Sequence, residues 1–173
     1  PQMIYNRYGT TILEDCDVSI EKNGASVAAQ EFCEGNRLIL KGKVTVNCTS
    51  ASSAVIWFPF AGAAFTVDEH AAVTINAPNT YMVYTDGAAK PIFTFKEHSV
   101  TRFSVKNGLF YASGAGAHIA SSCSVERNAT LYAESSANNG VPLFKCAGNF
   151  SVKKGANLFL LLPAKGTSPL LYF

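Results

Sequence analysis

Apolar and polar residues alternate along most of this chain, in short stretches that are separated by polar corners. In residues 150–160 (FSVKKGANLFL) the alternation stops at a lysine pair, passes a small residue and resumes. Residues 18–27, 65–75 and 123–133 have the same layout. Because side chains of a strand point to opposite faces in turn, this pattern predicts β-strands with one buried face. Helix should be scarce, since no segment of about 12 residues has a 3.6-residue apolar period.

The polar corners recur at a nearly constant interval. If the last apolar residue before each corner marks a repeat, successive marks are 20, 27, 28, 30 and 27 residues apart. Strand-forming units at such a period indicate a solenoid, in which each unit buries its apolar face by stacking on its neighbours. The marks are Ile20, Leu40, Val67, Phe95, Val125 and Val152, and small residues follow four corners at Ala25, Ala71, Ala129 and Ala156.

The repeated unit Val-x-x-Gly-Ala-x-Leu resembles the repeats of right-handed parallel β-helix proteins, a group that contains surface adhesins, phage tailspikes and polysaccharide lyases. The resemblance covers roughly residues 13–162 and implies an all-β, single-domain, right-handed parallel β-helix of about six rungs. A β-sandwich or jelly roll also has many short strands, but it would not explain the repeated corner. We assign residues 1–12 to an N-terminal arm or cap, residues 13–162 to the solenoid and residues 163–173 to an apolar C-terminal tail or cap.

The composition favours a globular, β-rich protein with a weakly charged surface. The 173 residues are 48% apolar and only 15% charged, which is enough for one domain with a core and argues against disorder. Surfaces rich in Ser, Thr, Asn and Ala are common on extracellular and virion proteins. The net charge of +2 and the absence of long Lys/Arg blocks give no electrostatic footprint for nucleic acid. No apolar run approaches the roughly 18 residues of a membrane span.

The N-terminus and the cysteines bear on the compartment. The first residues lack the basic and apolar regions of a signal peptide. A leading Pro1 is what removal of an initiator Met leaves, although a trimmed chain or a cleaved signal looks the same. The five cysteines are an odd number without a C-x-x-C motif, so we expect mostly reduced, buried thiols. The alternative is a single disulfide, either Cys16–Cys33 or Cys33–Cys48.

The carboxylates do not form a recognisable catalytic constellation. A glycosidase needs two carboxyl groups that face each other across a groove. Asp15 and Asp17 alternate along one predicted strand and share a face, but two carboxylates make a poor calcium site. Most other carboxylates lie at corners, where charges stay solvated. We therefore expect no enzyme activity and no cofactor, with a polysaccharide-degrading enzyme as the third alternative.

Two histidines occupy the same slot in consecutive repeats. His70 and His98 each follow a glutamate, Glu69 and Glu97. In a stacked solenoid they would lie one layer apart, close enough to share a metal ion with the glutamates. The alternative is two solvated corners.

Two apolar segments are candidates for binding. The aromatic residues Trp57, Phe58 and Phe60 fill the core, contact another subunit, or form a platform for sugar rings. The chain ends in Leu170, Leu171, Tyr172 and Phe173, which either fold back over the last turn or contact another subunit, because an uncapped solenoid end recruits other chains.

These features predict a non-catalytic structural or assembly β-solenoid. We expect a virion component, such as a phage decoration or fibre protein, whose partners are other protein subunits in a homo-oligomer or larger assembly. The alternative is a secreted or surface adhesin, or another glycan-binding module. The expected location is the virion, the extracellular space or the cell surface, and no nucleic-acid partner is expected.

Overall fold

The described residues of a computed structural model form a parallel β-solenoid of about five turns in a single domain. Every strand pair is parallel, and the secondary structure described is strand and turn without helix. This confirms the fold predicted from the repeats and excludes the antiparallel sandwich. The right-handed coil stays a prediction. The structure describes residues 4–21, 30–49, 54–86, 89–111, 118–137, 140–163 and 168–173.

The strands are long in the first two turns and short in the later ones. Within the described ranges they are β1 (Ile4–Ile20), β2 (Gln30–Cys48), β3 (Ala54–Phe58), β4 (Ala64–Val67), β5 (Ala72–Ala77), β6 (Tyr81–Thr85), β7 (Ile92–Phe95), β8 (Val100–Val105), β9 (Ser122–Val125), β10 (Thr130–Ser135), β11 (Phe144–Lys145), β12 (Phe150–Val152), β13 (Asn157–Leu161) and β14 (Leu171–Tyr172).

The pairing partners sort these strands into three walls. The first wall stacks residues 10–13 of β1, residues 37–40 of β2, then β4, β7, β9 and β12. The second wall stacks residues 16–20 of β1, residues 43–48 of β2, then β5, β8, β10 and β13. The third wall stacks residues 4–6, residues 33–34, then β3, β6, the bridge residue Phe110, β11 and β14.

The register of the first wall confirms five of the six repeat marks. Leu40, Val67, Phe95, Val125 and Val152 are successive partners in one ladder. Ile20 is the exception, because it pairs with Cys48 on the second wall, and Leu13 is the residue that pairs with Leu40. With Leu13 as the first mark, the steps are 27, 27, 28, 30 and 27 residues, and the irregular step of 20 disappears.

The core is a set of apolar ladders inside the walls. Alternate residues of each strand point inward and lie directly over their counterparts in the next turn, which removes them from water. Each fully buried Leu, Ile or Phe contributes about 1.5–3 kcal/mol of hydrophobic stabilisation. Two of these ladders are Leu38, Phe65, Phe93 and Cys123 on the first wall and Val46, Ile75, Phe103 and Ala133 on the second.

The corner between the first and second walls contains a residue with positive φ in every turn. In the later turns a four-residue turn closes with a hydrogen bond, such as the 3.2 Å bond that Ala71 N–H donates to the Asp68 carbonyl. A type II turn requires positive φ at its third residue, which Gly, Asn, Asp and His tolerate best. The small residue that follows is buried at Ala71 and Ala129, whereas Ala25 lies outside the described residues. The positive-φ residues are Asp15, Gly42, His70, His98, Asn128 and Gly155.

The first and the last described segments of the chain are part of the solenoid. Residues 4–12, which the sequence assigns to an arm or cap, belong to β1 and begin the first turn. β14 lies within the predicted tail and pairs with β11 on the third wall.

The described cysteines are reduced. Cys16, Cys48, Cys123 and Cys146 form no disulfide, so neither of the two bridges considered from the sequence is present. Three of these thiols are fully buried and pack as small apolar residues.

We expect Thr101→Val to raise the free energy of unfolding by about 1 kcal/mol. Thr101 stands in an inward ladder between Val73 and Leu131, and its buried hydroxyl has no hydrogen-bond partner in the described part of the chain. The control is Thr85→Val, which should destabilise, because the buried Thr85 hydroxyl lies 3.4 Å from His118 Nδ1. Urea unfolding measures both changes, and equal losses of stability would contradict the prediction.

We expect Gly155→Ala to destabilise the protein more than Gly62→Ala. Both glycines have positive φ, which costs another residue about 1–2 kcal/mol. A Cβ at Gly155 would also collide with the Asn128 side chain, whereas one at Gly62 meets no atom within 4 Å. Chemical denaturation of the two variants measures the difference. Equal losses of stability would contradict the predicted steric clash between a Cβ at position 155 and the Asn128 side chain.

Candidate functional site

The predicted aromatic segment is divided between the core and the surface. Alternation along β3 directs Phe58 inward, where it is 1% exposed, and Trp57 outward. Phe58 is therefore part of the core, which was one of the alternatives weighed from the sequence. Phe60 follows the strand and stacks on Tyr8, with ring centroids 5.1 Å apart. Trp57 and Phe60 are the members of this segment that reach the surface.

Trp57 belongs to a larger band of half-buried aromatic residues on the third wall, formed by Trp57, Tyr81, Tyr84 and Tyr111. Trp57 and Tyr84 are ladder partners in adjacent turns, with ring centroids 6.3 Å apart. Tyr111 lies 5.4 Å from Tyr84 and 5.3 Å from Tyr81. Sequence reasoning missed the tyrosines, although Trp57, Tyr84 and Tyr111 are each 27 residues apart, which is the repeat length. Such a band can pack against sugar rings or against another protein.

Two buried ionisable groups lie beside the aromatic band. The His118 ring is 4.4 Å from the Tyr84 ring, and its Nδ1 accepts a 3.2 Å hydrogen bond from Thr85 N–H. Lys145 Nζ donates a 3.1 Å hydrogen bond to the Tyr111 carbonyl. Burial lowers the pKa of both groups, and for His118 the charge of Lys145 acts in the same direction. Ionisable groups with shifted pKa values mark this region as a candidate site.

The two predicted histidines do lie one layer apart. The His70 and His98 rings are stacked 5.0 Å apart with an angle of 4° between their planes. The Glu97 carboxylate is engaged elsewhere, in a 3.0 Å ion pair with Arg127. Within the described ranges no three His, Cys, Asp or Glu side chains are grouped as metal ligands. The metal site with Glu69 and Glu97 stays a prediction.

The aspartates considered from the sequence lie at the corners or on the outer surface. Asp15 occupies a corner, where its Oδ1 accepts a 2.8 Å hydrogen bond from Lys43 N–H. Asp17 is exposed on the second wall. Asp68 pairs with Lys96 at 2.7 Å, and the hydrogen bond from this lysine lowers the Asp68 pKa. Asp15 and Asp68 thus join consecutive turns at the corner.

The C-terminal candidates lie on the third wall at the end of the solenoid. Leu171 pairs with Phe144 and is half-buried against the core. Leu170, Tyr172 and Phe173 are exposed. The Phe173 ring approaches the Phe150 ring edge-on at 6.5 Å, so the tail borders the last turn and leaves an apolar surface there.

Comparisons with known proteins do not assign the chain to a family. No family model matches it, and searches of the curated proteins and of the solved structures returned no significant match. The described part of the chain has no helix long and apolar enough to cross a membrane.

We expect stability to fall as the pH drops from about 7 to 5, in a manner that depends on His118. Burial depresses the folded-state pKa below the unfolded value of about 6.5, so the unfolded chain binds the proton more readily. The loss therefore begins near the unfolded pKa and is complete below the folded pKa. Lys145 opposes the charged imidazole and Asp86 favours it.

The measurement is the free energy of unfolding of the native chain and of His118→Gln at several pH values. The variant should show a weaker dependence of stability on pH than the native chain. Parallel curves would contradict a role for His118.

Proposed function

We propose that this chain is a non-catalytic structural β-solenoid that assembles with other subunits through its C-terminal turn. The C-terminal turn consists of β12, β13 and the corner between them. The observation that carries the proposal is the incomplete burial of the inward ladder in this turn. In β10 the inward residues Leu131 and Ala133 are fully buried, whereas their partners Leu158 and Leu160 in β13 are only half-buried.

The same turn has unpaired strand edges. β12 and β13 stand at the two ends of the sheet order, so among the described strands each has a partner on one side only. The inward residue Val152 of β12 is 45% exposed. Exposed edges beside apolar side chains are templates on which another strand can add. A further β-layer would satisfy the edge hydrogen bonds and cover the ladders together.

A second copy of the chain offers a matching surface at its first turn. The inward residues Leu13, Cys16 and Val18 are also half-buried there. The corner of the first turn carries Glu14 and Asp15, and the corner of the last turn carries Lys153 and Lys154, all exposed.

Stacking that continues the ladder from Val152 to Leu13 of a second copy brings these opposite charges together, which favours the head-to-tail orientation. On the third wall β14 already occupies the next layer, so residues 4–6 of the second copy have to be displaced from it.

The setting that best fits this assembly is a virion, in which the chain acts as a decoration, fibre or tail-associated component. The weakly charged surface and the reduced cysteines support this setting. A secreted or cell-surface adhesin is the second setting, and the half-buried aromatic band on the third wall favours it. The genes that flank the coding sequence distinguish the two: phage structural genes support the first, and a secretion leader or surface anchor supports the second.

We expect the 173-residue chain to self-associate with increasing concentration and Val152→Lys to weaken this association at least tenfold. The substitution should be tolerated in the isolated chain because Val152 is 45% exposed, but it would bury a charge in the stack. The control is Ile92→Lys, at a residue that is 48% exposed on an inner turn of the first wall. Sedimentation equilibrium measures the mass. A native chain that stays monomeric, or equal effects of the two variants, would overturn the proposal.

A further inference from the structure

The outer face of the second wall contains a groove that neither the repeats nor the proposed assembly explains. Two columns of outward residues border it, and the parallel register places them side by side. Val100 and Thr130 are partners in one column. Arg102, Tyr132 and Phe159 are successive partners in the other. The groove is therefore built by three consecutive turns, from residues separated by up to 59 positions in the sequence.

The second column forms a ridge of three neighbouring planar groups. The guanidinium carbon of Arg102 lies 5.1 Å from the centre of the Tyr132 ring, a cation–π distance. The Phe159 ring lies 6.3 Å from Tyr132 on the opposite side in the stack. The Tyr132 hydroxyl donates a 2.9 Å hydrogen bond to Glu134 Oε2, which fixes the orientation of the ring. Arg102 and Phe159 thus contact the Tyr132 ring on its two sides, and Glu134 accepts a hydrogen bond from its hydroxyl group.

The hydrogen bonds of Glu134 leave Arg102 with an available charge. Ser104 donates a 2.6 Å hydrogen bond to the other carboxylate oxygen of Glu134, so hydroxyl groups engage both oxygens. Arg127 pairs with Glu97, and Lys96 pairs with Asp68. Among the described residues Arg102 has no such carboxylate partner. Its guanidinium therefore faces the groove as a positive charge that a bound anion can neutralise.

The floor and the size of the groove restrict what it can hold. The groove has a volume of about 260 Å³ and is lined by Val100, Arg102, Thr130, Tyr132 and Phe159. Val100 and Phe159 are exposed, so apolar surface faces water here. Typical small-molecule pockets measure about 300–1,000 Å³, so there is room for one ring or a single short segment. The lining combines apolar surface, the hydroxyl groups of Thr130 and Tyr132, and the cation of Arg102.

We propose that this groove binds an acidic sugar whose carboxylate forms an ion pair with the Arg102 guanidinium. The planar guanidinium matches a carboxylate with two parallel hydrogen bonds. The apolar C–H face of the sugar packs on Val100 and Phe159, as sugar rings do on apolar and aromatic side chains. The Thr130 hydroxyl, which accepts a 3.4 Å hydrogen bond from Asn157, can donate to a ring hydroxyl. The chain thereby has a carbohydrate-binding activity that is independent of its assembly.

The test uses glucuronic acid and its neutral methyl ester as matched probes, with amide NMR shifts of the full chain as the readout. A single ring in an open groove should bind with a Kd of about 1 mM, and the ester at least tenfold more weakly. Shifts should centre on β8, β10 and β13, and they should decrease as salt is added, since salt screens the ion pair. Equal binding of the two probes, or shifts elsewhere, would overturn the proposal.

The variant Arg102→Gln should reduce the affinity for glucuronic acid at least tenfold. The matched control is Arg127→Gln, which removes an exposed arginine of the neighbouring corner and should leave the affinity unchanged. A second variant, Thr130→Val, should weaken both probes by a similar factor, because it removes the hydroxyl contact and not the charge. Equal losses from the two arginine variants would show that only net charge matters and would contradict the assigned site. The experiment runs at a concentration where the chain is monomeric, so failure of assembly does not affect it.

Discussion

The fold depends on the register between consecutive turns. Because all strands are parallel and in register, each residue lies directly over its counterpart in the previous turn. An inward position must therefore remain apolar in every turn, and its volume must suit the neighbours above and below. The second-wall ladder shows this constraint, since the large Phe103 is followed by the small Ala133. Backbone hydrogen bonds and core packing thus depend on one alignment.

The corner with positive φ keeps that alignment constant, and its residues are matched between adjacent turns. Gly42 follows Asp15, and Gly155 follows Asn128; in both cases the glycine leaves space for the side chain of the preceding turn. His70 and His98 follow a different solution, in which two planar rings stack. A residue at this corner is therefore constrained by its own backbone conformation and by its neighbour one turn away.

The sequence predicted the parts of the structure that repeat locally. Val67 and Val125 were recognisable because an apolar residue followed by a polar corner and a small residue is a local pattern. The same pattern misled at Ile20, since the corner after the second wall also begins with polar residues. The aromatic band was missed for another reason: Trp57 and Tyr84 meet only through the register, and alternation separates Trp57 from its neighbour Phe58. Long-range contacts become predictable only when the repeat length is applied to surface residues as well as to core residues.

The half-buried ladders of the last turn have a consequence for the dynamics of the molecule. In a solenoid each turn is stabilised mainly by the turns beside it, so local opening begins where one neighbour is missing. Amide hydrogens of β12 and β13 should then exchange with solvent faster than those of β4 and β5, with a gradient along the axis. A layer that covers the end would slow exchange far from its own contacts, because it stabilises each turn through the next. Occupancy of one end would in this way be transmitted along the whole stack as a change in local stability.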